Sequence, residues 1–159
     1  MNKTKKIVIC SVIVVFLFII MVIFGSRNEL EETICTFESN QNNYKLNIEY
    51  NIYSKNKIVI KTVANSTYES SDKDLLKNIK KEIGVQYKSL NDKYSGYSYK
   101  FTMKKNKLYS VVKIDYKKHD MKKFVYDNVA MKNFINEKKQ FTLDGAIDYY
   151  ESMGAICKK

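Results

Sequence analysis

Three residue types in this chain could carry chemistry: thiols, one imidazole and paired carboxylates. Cys157 sits two residues from the C-terminus in GAICKK (154–159), just past a glycine, on a tail that would ordinarily fray. Cys35 lies in TICTFES (33–39), and Cys10 lies inside an apolar run near the start. The only histidine is His119, in KKHDMKK. A nucleophilic triad needs a positioned base. None can be built without His119, which reads as a solvated loop residue. Asp144 and Asp148 stand one helical turn apart and read as a solvated helix face. No C-x₂-C or H-x₃-H spacing offers clustered metal ligands, and no Gly-rich loop offers a phosphate cradle. The expectation is a non-enzymatic protein with no catalytic residue, no metal site and no cofactor.

Lysine is the remaining chemistry. The chain has 28 basic and 17 acidic residues, a formal net charge of +11. Lys3, Lys5 and Lys6 precede the apolar run. Residues 27–159 therefore carry 25 basic against 17 acidic residues, a net of +8. Such a balance favours anionic partners in general. A high load of Lys, Asn and Ile with no Pro or Trp also fits an AT-rich coding bias.

The apolar run IVICSVIVVFLFIIMVIF (7–24) holds no charge, Gly or Pro. As a helix its 18 residues would extend about 27 Å, close to the hydrocarbon thickness of a bilayer. Lysines precede it and RNELEE follows it. The positive-inside rule keeps residues 1–6 in the cytoplasm and sends 27–159 outside. The nearest cleavage candidate, IFGS, has Ile23 where a small residue is wanted. The expectation is an uncleaved single-pass signal anchor, with cleaved secretion as the runner-up. Cys10 is then an inert thiol within the membrane.

The elements that must position these residues follow from periodicity. YKLNIEYNI (44–52) alternates apolar and polar residues with period 2, the mark of a strand with one buried face. SKNK (54–57) turns and IVIKTVA (58–64) returns, while TICTFES (33–39) supplies a strand upstream. Ser71 as N-cap, with Asp74 three residues on, opens a helix. Its apolar face is Leu75, Ile79, Ile83, Tyr87, Leu90 and Tyr94. A second hairpin runs from Tyr97 through KKNK to Tyr116, residues 117–140 stay ambiguous with a short helix after Asp120, and Thr142 caps a last helix that Gly154 ends. The predicted order is βββ-α-ββ-α. The fold class is α+β, a five-stranded, mainly antiparallel sheet with the long helix on one face.

With the domain outside the membrane, a disulfide becomes permissible. Cys35 and Cys157 stand at its two ends and would tie the tail to the first strand. Alternation also places Lys45, Lys61, Lys100 and Lys113, with Lys104 and Tyr109, on the side of the sheet away from the helix. These lysines are candidate contacts for an anionic envelope polymer, although lysines on an open sheet face also serve solubility and edge protection. Nucleic acid would use the same residues, but an external domain does not meet it.

ICTF (34–37), the hairpin around SKNK and the terminal GAICKK (154–159) resemble the YehR-like small extracytoplasmic (lipo)proteins of low-GC Gram-positive bacteria. The chain departs from them in lacking a lipobox and in its longer stretch after Tyr116. The resemblance implies location and fold, not activity. The functional expectation is therefore a membrane-anchored module at the cell envelope that binds anionic polymers. The alternative is a structural or regulatory partner of another membrane protein.

Overall fold

The computed structural model describes residues 30–41 and 43–158, so the anchor expected over 7–24 lies outside it. Among the described residues no helix is long and apolar enough to cross a membrane. Three long strands open the domain as a meander: β1 (Glu31–Asn40), β2 (Lys45–Lys55) and β3 (Ile58–Glu69). The turn between β2 and β3 uses Asn56 and Lys57, both with positive φ (52° and 60°). A two-residue loop of that shape matches the natural strand twist. A register shift between Tyr53 and Ser54 adds a bulge near the same end. Helix α1 (Lys73–Lys93) follows, then β4 (Tyr97–Lys104) and β5 (Lys107–Asp115).

The sheet is fully antiparallel with strand order β4-β5-β3-β2-β1-β6. The expected five strands are six. The tail forms β6 (Ile156–Lys158), which pairs with β1 so that Cys157 stands opposite Cys35. A three-residue strand is too short to show a period, which is why alternation alone did not reveal it.

One side of the sheet is covered in two places. Under α1, Leu76 and Ile79 pack on Tyr68 and Leu108, with Leu46, Ile83 and Phe101 around them. The cap of α1 is Asp72 rather than the expected Ser71. Its carboxylate accepts from the backbone N–H groups of Asp74 (2.9 Å) and Leu75 (3.0 Å), satisfying donors that the first helical turn leaves unpaired. The residues left ambiguous in the sequence build the second cover. They form α2 (Met121–Asp127), capped by Asp120, and a 3₁₀ helix (Val129–Phe134). With α3 (Leu143–Ser152) they close over Cys35, Ile52 and Val59 through Val125, Met131, Phe141, Ala146 and Tyr150. As expected, the Thr142 side chain caps α3, accepting from Gly145 N–H at 3.1 Å, and Gly154 follows the helix with φ 89°.

Gly145 marks how closely α3 meets the 3₁₀ helix. A Cβ there would collide with the backbone carbonyl of Phe134, an atom that cannot swing aside. Gly145→Ala is expected to cost about 1–3 kcal/mol of stability, as overpacking does. Urea denaturation measures it, and an unchanged midpoint would show that the two helices are not in close contact.

Candidate functional site

The register puts Lys45, Lys61, Lys100 and Lys113 on the same, helix-free side of the sheet. Lys113 has two of the others as diagonal neighbours: Lys61 across β3 and β5, and Lys100 across β4 and β5. Lys100 and Lys113 flank a shallow recess with Ser98 and Val111. Lys45 and Lys61 sit at opposite ends of the meander, about 26 Å apart by strand rise. Lys45 pairs with Glu38 at 3.7 Å, and the Lys61 ammonium lies 3.9 Å over the Tyr53 ring. Glu38, Glu49, Glu69 and Asp115 share this side, so its charge is mixed.

A more uniform basic surface runs along the other flank of the edge strand β4. Lys77, Lys80, Lys81 and Lys88 of α1, all exposed, rim a groove of about 590 Å³. Its floor is apolar, Tyr99, Phe101 and Met103 of β4, with the exposed Val85 at its rim and Gly84 leaving space beside the Phe101 ring. No acidic side chain lines it. Lys77 donates to Asp74 at 2.8 Å outside the lining. Sequence reasoning followed the buried stripe of this helix and passed over the lysines on its other side. Their spacing (77, 81 and 88) was the available signal, since it places them on one helical face.

A third feature lies between α1 and the α2–α3 cover. It is a cleft of about 340 Å³ lined by seven of the 13 tyrosines and by no charged side chain. The sheet supplies its floor through Tyr50, Thr62, Ala64, Tyr97 and Val112. Tyr87 of α1 and Tyr94, which caps its C-terminus, form one wall, and Met131, Tyr149 and Tyr150 the other. The exposed lining residues Asn128 and Met153 mark where it meets solvent. Burial pushes the Tyr50 phenol up to about 12 and raises those of Tyr97, Tyr116, Tyr149 and Tyr150 as well. All are therefore neutral at physiological pH.

His119 is not the solvated loop residue expected. It is buried, stacked on Tyr94 (5.1 Å between centroids) with Phe124 edge-on at 4.9 Å. Its Nδ1 lies 2.8 Å from the Ser95 carbonyl. That fixes the tautomer in which Nδ1–H donates. Nε2 is buried with no hydrogen-bond partner, and desolvation pushes the ring's pKa down. Asp144 and Asp148 are exposed on α3. Among the described residues no group of three or more His, Cys, Asp or Glu side chains gathers as metal ligands would.

The two cysteines that sequence placement joined are bonded. Cys35 and Cys157 form a disulfide across β1 and β6, with Cα atoms 3.9 Å apart.

No protein-family model matches the chain, and no curated protein matches it. Solved structures do. The NMR structure of E. coli YehR superposes with a TM-score of 0.54 at 20% identity, over 83% of this chain and 93% of that one. The NMR structure of a protein from Streptococcus pneumoniae TIGR4 gives 0.50 at 16% identity, over 83% and 87%. The chain thus has a YehR-like α+β fold.

Proposed function

We propose that this chain is a membrane-anchored, extracytoplasmic, non-enzymatic module that binds anionic envelope polymers, teichoic acid among them. The reading keeps residues 1–6 in the cytoplasm, 7–24 as a single-pass signal anchor and 27–159 outside. It assigns the chain to the YehR-like family and to a low-GC Gram-positive host. The shared fold and the Lys-, Asn- and Ile-rich composition support that assignment. The observation that carries the binding reading is the α1–β4 groove: four exposed lysines around an apolar floor, with no acid in the lining. Lys100 and Lys113 lie across the edge of β4 from this groove and extend the basic surface. Lys61, diagonal to Lys113, lies over the Tyr53 ring, and Lys45, paired with Glu38 at the other end of the meander, contributes background charge.

Exposed charges are screened beyond about 8–10 Å at physiological salt, so clustering decides which lysines matter. The test uses the full chain in phosphatidylcholine nanodiscs and purified poly(glycerol phosphate) teichoic acid. At low salt the variant Lys77→Gln/Lys80→Gln/Lys81→Gln/Lys88→Gln is expected to bind roughly tenfold or more weakly than wild type, a loss of about 1.4 kcal/mol or more, and wild-type binding should fall as salt rises. Equal binding by variant and wild type would refute the groove.

A second reading, a structural or regulatory partner of another membrane protein, draws on one observation. Tyr126 and Val129, three residues apart, are 82% and 65% exposed, and such apolar side chains suit a protein contact.

A further inference from the structure

We infer that the tyrosine cleft is a binding site for a neutral sugar ring, a site separate from the basic groove and independent of it. Volume comes first. About 340 Å³ lies at the low end of the range that holds small ligands, roughly 300–1,000 Å³, enough for one or two pyranose rings and too small for a polymer.

Charge comes second. Burying an ionised ligand against a lining without a counter-charge is strongly disfavoured, and the lining here is uncharged. The neutral phenols cannot serve as anions, because burial holds them protonated. A cationic ligand could still use aromatic faces. However, Lys93 already lies 5.3 Å from the Tyr94 ring, and residues 27–159 carry a net charge of +8.

The third argument concerns the hydroxyls. Leu90, Ile114 and Phe124 line part of the cleft, but a cleft shaped for an acyl chain would be lined by such residues throughout. This one adds seven phenols, which pair a large apolar face with a polar tip. An aliphatic occupant would strip water from those tips and return nothing, at about 1–3 kcal/mol for each group left unsatisfied. Part of the lining is already committed. Tyr94 donates to Asp127 at 2.8 Å. On the sheet floor Tyr50 stands opposite Ala64, and Tyr97, opposite Ile114, lies diagonal to Val112; Ala64 and Val112 form the small and apolar centre of the cleft. Tyr50 stacks on Tyr150 at 4.3 Å between centroids. A pyranose ring has the complementary shape: C–H faces for the aromatic rings and an edge of hydroxyls for the phenol tips.

The test is a methyl-NMR titration of the full chain in nanodiscs, labelled at Met and Ile methyls, with N,N′-diacetylchitobiose as probe. Tetramethylammonium and decanoate serve as the cationic and aliphatic alternatives. The expected result is saturable shifts at Met131, Met153 and Ile114, all lining residues, with the sugar alone. Tyr50→Phe/Tyr97→Phe keeps both rings and should weaken the sugar about tenfold. Ala64→Leu fills the floor and should abolish binding while the remaining spectrum stays folded. Three outcomes overturn the inference: no cleft shifts with the sugar, shifts with tetramethylammonium or decanoate in its place, or equal sugar affinity for the Tyr→Phe double variant and wild type. Because the probe is uncharged, a failure here leaves the teichoic-acid result of the basic groove standing, and the reverse holds too.

Discussion

Opening the Cys35–Cys157 bond is expected to lower the unfolding free energy by about 2–5 kcal/mol, the usual cost of losing a native disulfide in a small domain. At this size that corresponds to a fall in Tm of about 10 °C. The bond joins residues 122 apart in sequence, so it restricts nearly the whole unfolded domain. It also has a local role. β6 has only three residues and a single neighbour, β1. Without the bond, the tail is held beside the buried Cys35 by that short ladder and by Ala155, which is buried and donates its N–H to the Tyr150 carbonyl at 3.1 Å. Thermal denaturation of oxidised wild type against Cys35→Ala/Cys157→Ala measures the effect, with Cys10 present in both. Hydrogen exchange should show β6 losing protection first. Equal melting temperatures would mean that the bond is incidental to the fold.

Phe141→Ala is expected to cost about 3–5 kcal/mol, the range for removing a fully buried phenylalanine. The ring is 2% exposed and meets Tyr116 edge-on at 5.5 Å, with Tyr149 at 6.2 Å. Its backbone carbonyl accepts from Val59 N–H at 2.9 Å, and Ile135 bridges to it across the preceding turn. Phe141 thus fastens the 117–140 segment to β3. The urea midpoint should drop accordingly, and a loss below about 1 kcal/mol would mean that the second cover contributes little to the core.

Both hairpins, the long helix, the last helix with its Thr142 cap and the pairing of the cysteines were legible because each rests on a local signal or on a single choice of partner. Ser71 and Asp72 are both capping types, and geometry chose the carboxylate. Ser70 and not Ser71 adds to the corner: its hydroxyl donates to the Asn43 carbonyl and accepts from Asp72 N–H. β6 was hidden because its partner is distant in sequence and three residues show no alternation. Alternation also gave the correct side of the sheet for the four lysines. It could not give their separation, which depends on how β2, β3 and β5 register against one another. The tyrosine cleft was invisible for the same reason. Tyr50, Tyr87 and Tyr97 each read as part of a buried stripe on its own element, and only the assembled layers leave space between them.

On the proposed function, an anionic polymer lies along α1 and β4. The most direct measurement is an amide NMR titration of the full chain in neutral nanodiscs with poly(glycerol phosphate) teichoic acid over a salt series. Salt-sensitive shifts are expected to concentrate at Lys77–Lys88 and Tyr99–Met103, with smaller ones at Lys113 and none at Lys45. Shifts spread evenly over the lysines, or confined to β1 and β2, would contradict it.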